Sequence, residues 1–177
     1  MVYLLLADGF EEIEALTTVD ILRRSGIEVK TVGLSSEAQT GAHDICVVCD
    51  IQINKVNKND MEMLILPGGA GYELLDASND VHGLINHCVA NNIYISAICA
   101  APSVLGKKGL LENKKAVCYP GFEKYLYGAK IQNCKAVKDG IFITGKGPGA
   151  SSDFAFLIVN TLKGEESAEK LKGMMCY

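Results

Sequence analysis

Cys99 is the residue whose type and setting point most directly to chemistry. Residues Ile93 to Gly106 read I-Y-I-S-A-I-C-A-A-P-S-V-L-G. A short β-branched run stops at Cys99 and turns at once into a helix-like segment. Pro102 suits the first turn of that helix, where its missing N–H costs nothing. A cysteine at a strand-to-helix turn is displayed as hydrolases display a nucleophile at an elbow. At a helix N-terminus the dipole and the free N–H groups favour thiolate over thiol, so a reactive cysteine is expected here.

Glu14 is the second candidate. On a helical wheel it shares a face with Phe10, Thr17 and Ile21, while Glu11 and Glu12 point elsewhere. A carboxyl on a partly apolar face resists ionisation, so its pKa rises. As a neutral acid it could donate a hydrogen bond to a thiolate and exchange protons with a substrate. A solvated glutamate complementing the helix dipole gives the same pattern. The run Pro67-Gly68-Gly69-Ala70-Gly71 follows an apolar strand. It is either an ordinary tight turn or, with the amide of Ala100, an oxyanion hole beside a thiol. The first cluster lacks the spacing of a G-x-x-x-x-G-K-[ST] loop and signals phosphate binding only weakly; G-K-G-P-G-A-S-S-D precedes a helix and resembles a phosphate cradle superficially, but reads as a structural turn next to the same pocket.

A protease mechanism needs an imidazole beside the cysteine. The chain has three histidines, His43, His82 and His87. His82 and His87 fall on surface-like helical positions, and His43 precedes a strand. Seven cysteines are scattered without a metal-ligand rhythm. Cys46 and Cys49 form a C-x-x-C inside a strand-like run, where positions three apart face opposite sides, against a redox or zinc pair.

The elements that must position these residues alternate. Strands are expected at Val2 to Ala7, Ile27 to Leu34, within Asp44 to Ile53, at Met61 to Leu66 and before Cys99. Shorter ones follow at Ala116 to Tyr119, Lys135 to Val137 and Ile141 to Thr144. Helices are expected at Phe10 to Gly26, Val81 to Ala90, Ser151 to Leu162 and Glu165 to Lys172. This order predicts one doubly wound, flavodoxin-like α/β/α sandwich with a mostly parallel sheet. Its ligand crevice lies at the carboxyl ends of the strands, where Asp8-Gly9, Gly68-Gly69, Cys99 and the Gly145 to Gly149 turn all fall. With 177 residues, 49% hydrophobic and a net charge of −4, the chain fits one globular domain. The mixed charges argue against nucleic acid or an anionic membrane as partner. No signal-like or membrane-spanning run is visible, so a cytoplasmic location is expected.

Taken together, A-D-G-F-E-E-I-E with V-D-I-L-R-R-S-G, then L-I-L-P-G-G, A-I-C-A-A-P and I-T-G-K-G-P-G-A-S resemble the ThiJ/PfpI superfamily. The branch is that of the parkinsonism-associated deglycase and its bacterial relatives. The motifs run in family order over nearly the whole chain. The resemblance implies a single ThiJ/PfpI-like (class I glutamine amidotransferase-like) domain over 1–177. It implies that Cys99 is the nucleophilic, oxidation-prone cysteine, that Glu14 is its protonated partner, and that Gly69 and Ala100 give backbone amides to the pocket. Gly68, Tyr119 and His43 are further pocket candidates. Tyr119 stands where many members carry histidine, and His43 replaces a basic residue that can come from a partner subunit. A homodimer involving the first helix is also implied, with Leu16 and Val19 turned away from the Phe10 face.

The function expected is a glyoxalase-like or deglycase-like reaction on small α-oxoaldehydes or glycated adducts, through a cysteine and a glutamate, needing no cofactor and no metal. The rival is a stress or chaperone protein that senses peroxide through oxidation of Cys99. A cysteine protease lacks its histidine, and nothing in the residues supports a thiamine-thiazole role.

Overall fold

The computed structural model describes residues 1–177. Its centre is a seven-stranded sheet in the order β10-β11-β7-β6-β1-β2-β5. The strands are β1 (Val2–Leu6), β2 (Val29–Gly33), β5 (Ile51–Gln52), β6 (Met63–Leu66), β7 (Tyr94–Ile98), β10 (Ala136–Asp139) and β11 (Phe142–Gly145). All neighbours pair in parallel except β10, which runs antiparallel to β11 at the edge. Two small sheets stand apart, β3 (Ala38–Thr40) with β4 (Cys46–Val48), and β8 (Lys115–Ala116) with β9 (Lys130–Ile131).

Both faces of the sheet are covered, which is why β1 and β6 read as unbroken apolar runs. Val2, Leu4 and Leu6 point to one face with Ile65, Ile98 and Phe154, under α1 (Glu12–Arg24), α5 (Ser151–Lys163) and α6 (Glu165–Met174). Tyr3 and Leu5 point to the other with Leu64, Val81, Ile95 and Val104, under α2 (Tyr72–Ala77), α3 (Asn79–Ala90) and α4 (Pro102–Lys107). Helix α1 is held by acids in its first turn and Arg23 and Arg24 in its last, and it stops at Gly26, whose φ of +72° suits glycine.

The chain leaves β1 in one direction towards β2 and returns on the other side as β6. The crevice between them is the topological switch point. The loops after β1 and β6 meet there: Phe10 and Gly69 form an isolated antiparallel bridge, and the Glu11 N–H donates to the Gly68 carbonyl at 3.0 Å.

Several expectations are corrected in detail. The Asp44 to Ile53 region holds two strands, one in the β3–β4 hairpin and one at the sheet edge. The strand expected at Ala116 to Tyr119 is only β8, outside the main sheet. Helix α2 and strand β3 were not foreseen, because Pro67 to Gly71 reads as loop and the β3 run is only three residues. Val19 is buried in the core, so the apolar residue that α1 exposes is Ile13.

Candidate active site

Cys99 follows β7 directly and is held at φ +65°. A non-glycine residue in this region costs about 1–2 kcal/mol and persists only where the surroundings impose it. They do so from both sides: the Cys99 N–H donates to the Gly145 carbonyl at 3.0 Å, and its carbonyl accepts from the Tyr119 N–H at 2.8 Å. The elbow expected from the sequence is present, and its side chain is nearly enclosed.

Glu14, two residues into α1, is 1% exposed. Its Oε2 accepts the Gly68 N–H at 2.8 Å, while Oε1 is buried with no hydrogen-bond partner. The Cys99 thiol lies beside this carboxyl, both packed against Gly68. The approach depends on Gly68. A Cβ there would lie 2.6 Å from Cys99 Cβ and 2.7 Å from Glu14 Oε2. Gly69, at φ +79°, turns the chain so that its amide and that of Ala100 reach the Cys99 sulfur.

Burial pushes the Glu14 carboxyl up to about 7, against the lowering effect of its bonds to Cys99 and the Gly68 N–H. The nearby Glu11 charge adds to the rise. Burial likewise pushes the Cys99 thiol up to about 12, assisted by the Glu14 charge and hydrogen bond. The Gly69 and Ala100 amides oppose that shift. The free N–H groups expected to favour thiolate thus act here against burial, which favours the thiol. Helix α4, which follows the cysteine, is six residues long and begins at Pro102. Between about pH 7 and about 12 the pair holds one proton between sulfur and carboxyl.

His43 does not join this pair. Its Nδ1 lies 2.8 Å from Glu12 Oε2, and its N–H donates to Glu12 Oε1 at 2.7 Å. Glu12, expected to point away from the Glu14 face, is buried, and this contact clamps the loop between β3 and β4 onto the start of α1. The ligand atoms of Glu11, Glu12 and His43 lie within 4.8 Å of one another. Both Glu12 oxygens already accept from His43, so the cluster reads as an internal latch. No pattern in the sequence joins Glu12 to a residue so far along the chain, and the latch was missed. His82, expected on the surface, is half-buried with Nε2 2.7 Å from the Asp76 carbonyl. His87 Nε2 sits 3.1 Å from the Lys58 carbonyl. Within one protomer no histidine therefore partners Cys99. Cys46 is exposed and Cys49 buried, both as free thiols.

Tyr119 stands at the site. Besides its main-chain bond to Cys99, its ring packs against Gly147 and lines a cavity with Pro120, Lys146 and Pro148.

The family model described as "DJ-1/PfpI family" matches residues 1–161. The chain belongs to the DJ-1/PfpI family. It is 34% identical over 176 residues to protein dj-1beta of Drosophila melanogaster, covering 97% of this chain and 94% of that protein. The crystal structure of Drosophila melanogaster DJ-1beta superimposes with a TM-score of 0.93 at 33% identity, over 99% of this chain and 96% of that one. The glutathione-independent glyoxalase DJR-1.2 of Caenorhabditis elegans is 33% identical over 174 residues, covering 98% and 94% of the two chains. A protein of Pyrococcus abyssi named as a deglycase is 26% identical over 150 residues, covering 84% and 90%. Family relatives thus carry enzyme names, and this chain keeps the family fold over its whole length.

Proposed function

We propose that the protein is a cofactor-independent glyoxalase-like or deglycase-like enzyme acting on α-oxoaldehydes or their adducts. The observation that carries the reading is a buried carboxyl packed with an elbow cysteine against the same glycine, Gly68. The names of the relatives from C. elegans and P. abyssi support it.

The chemistry follows from the shared proton. As the Cys99 sulfur attacks the aldehyde carbon, its proton passes to Glu14, and the amides of Gly69 and Ala100 hold the developing oxyanion. Protonation of that oxygen gives a hemithioacetal. Glu14, ionised again, removes the proton from the former aldehyde carbon and returns one to the neighbouring carbon through an enediol. The product is a 2-hydroxy thioester. Water cleaves it to the 2-hydroxy acid and restores the thiol, so the net change is addition of one water to the oxoaldehyde. A carboxyl near pKa 7 can serve in both directions at neutral pH. Appearance of D- or L-lactate from methylglyoxal, with loss in Cys99→Ala, tests this directly.

A second reading rests on the same contact. A cysteine beside a protonatable carboxyl is also placed to stop at a sulfinate under peroxide, with Glu14 donating to it. Selective gain of two oxygens at Cys99 by mass spectrometry, together with absent lactate formation, would favour this sensing role.

The protein is further proposed to work as a homodimer. Ile13 on α1 and Ile45 and Val48 on the hairpin clamped to it are exposed, an apolar face suited to a second copy. Seven free thiols fit a reducing, cytoplasmic setting. No helix is long and apolar enough to cross a membrane.

A further inference from the structure

A cavity walled by Tyr119, whose main chain is bonded to Cys99, carries a charge that the aldehyde reaction does not use. It encloses about 250 Å3 between Tyr119, Pro120, Lys135, Lys146, Gly147 and Pro148. Its walls grow from the segments that clamp the cysteine. Tyr119 gives its N–H to the Cys99 carbonyl, and Lys146 follows Gly145, which takes the Cys99 N–H. A Cβ on Gly147 would lie 3.1 Å from Tyr119 Cδ2, so a residue without a side chain lets the ring and the turn come this close.

The two lysines differ. Lys135 is exposed and paired with Asp153, Nζ to Oδ2 at 3.1 Å. Lys146 is half-buried and has no carboxylate within 4.0 Å. Pro120 and Pro148 have no N–H to offer. Of the two lysines that line the cavity, Lys146 is the one without a carboxylate partner. An anionic ligand in the cavity would supply the counter-charge that no side chain provides.

We infer that Lys146 is a specificity residue that binds an anionic substituent of the substrate, a carboxylate or a phosphate, while Cys99 attacks the aldehyde carbon. The inference rests on the aldehyde reading above and narrows its substrate class to α-oxoaldehydes with an anionic tail. Methylglyoxal, which has no such tail, is then a minimal substrate.

The test compares methylglyoxal with 4,5-dioxopentanoate, which carries a carboxylate, and with 3-phosphooxy-2-oxopropanal, which carries a phosphate. The ratio of kcat/KM for each anionic compound over methylglyoxal should exceed one in the wild type. It should fall about tenfold in Lys146→Gln, through KM, as expected for loss of a charge-assisted hydrogen bond. Lys146→Arg should restore it. The compound whose ratio falls further identifies the anion. A ratio unmoved by Lys146→Gln, or a loss confined to kcat, overturns the inference. Calorimetric binding to Cys99→Ser separates this from failure of the aldehyde reading. Binding of 4,5-dioxopentanoate that weakens about tenfold on adding Lys146→Gln supports the anion subsite even if no oxoaldehyde turns over. Binding indifferent to Lys146 removes the subsite even if turnover is confirmed.

Discussion

The Glu14 carboxyl and the Cys99 thiol meet beneath Gly68, where a Cβ would lie 2.7 Å from Glu14 Oε2 and 3.1 Å from Cys99 Sγ. One residue without a side chain thus sets the contact between acid and nucleophile. It also supplies the N–H that anchors the acid.

Gly68→Ala should therefore disturb the site without any backbone penalty, since Gly68 is not in the left-handed region. Overpacking of this kind costs roughly 1–3 kcal/mol. Denaturant unfolding should show a loss in that range, accompanied by a fall in lactate formation. Unchanged stability and turnover would mean that the close approach does not matter.

Glu14 makes stability depend on pH in a defined direction. Its pKa rises from 4.5 to about 7 on folding, so the folded chain holds more protons than the unfolded chain between those values. Stability is therefore lost as pH rises from 4.5 through 7. Linkage over that interval corresponds to about 3 kcal/mol. Glu14→Gln, which keeps an oxygen for the Gly68 N–H, should match the wild type near pH 4 and exceed it by about that amount above pH 8. Urea titrations at the two pH values measure the difference.

The latch predicts another profile. The Glu12 bond holds the His43 pKa above its usual 6.5, and the His43 bonds hold Glu12 below 4.5. The histidine contribution is present below pH 6.5 and lost as pH rises through its raised value. The glutamate contribution is present above pH 4.5 and lost as pH falls through its lowered value. His43→Ala should lower Tm most between those limits, with the deficit shrinking on either side. Thermal melts of both proteins across pH 3 to 9 check this, and a deficit independent of pH would contradict it.

Alkylation of Cys99 reports on the shared proton. With Glu14 accepting the thiol proton, the iodoacetamide rate should rise through an apparent pKa near 7, the value of the acid. In Glu14→Gln that rise should vanish and move to the alkaline range set by the buried thiol. Peptide mapping isolates Cys99 from the six other cysteines.

Much of this arrangement is legible in the sequence because it is local. The apolar run into Cys99 and the Pro-Gly-Gly turn each announce a strand end, and parallel order brings strand ends together. Glu14 remained open between acid and solvated glutamate, since a helical wheel does not say what packs on the helix. The structure decides it, through a Gly68 amide far along the chain. The protonation of Cys99 depends on its surroundings in the same way. A helix dipole is visible in the sequence, whereas the burial that opposes it is not. The Glu12–His43 latch joins residues whose spacing follows no period.

The central claim is that Cys99 and Glu14 act together on an aldehyde. Its most direct test is lactate formation from methylglyoxal by wild type, Cys99→Ala and Glu14→Gln, each shown folded by circular dichroism. The account predicts activity in the wild type, none in Cys99→Ala, and a loss of about 10²–10⁴-fold in kcat for Glu14→Gln. Activity that survives either substitution would contradict it.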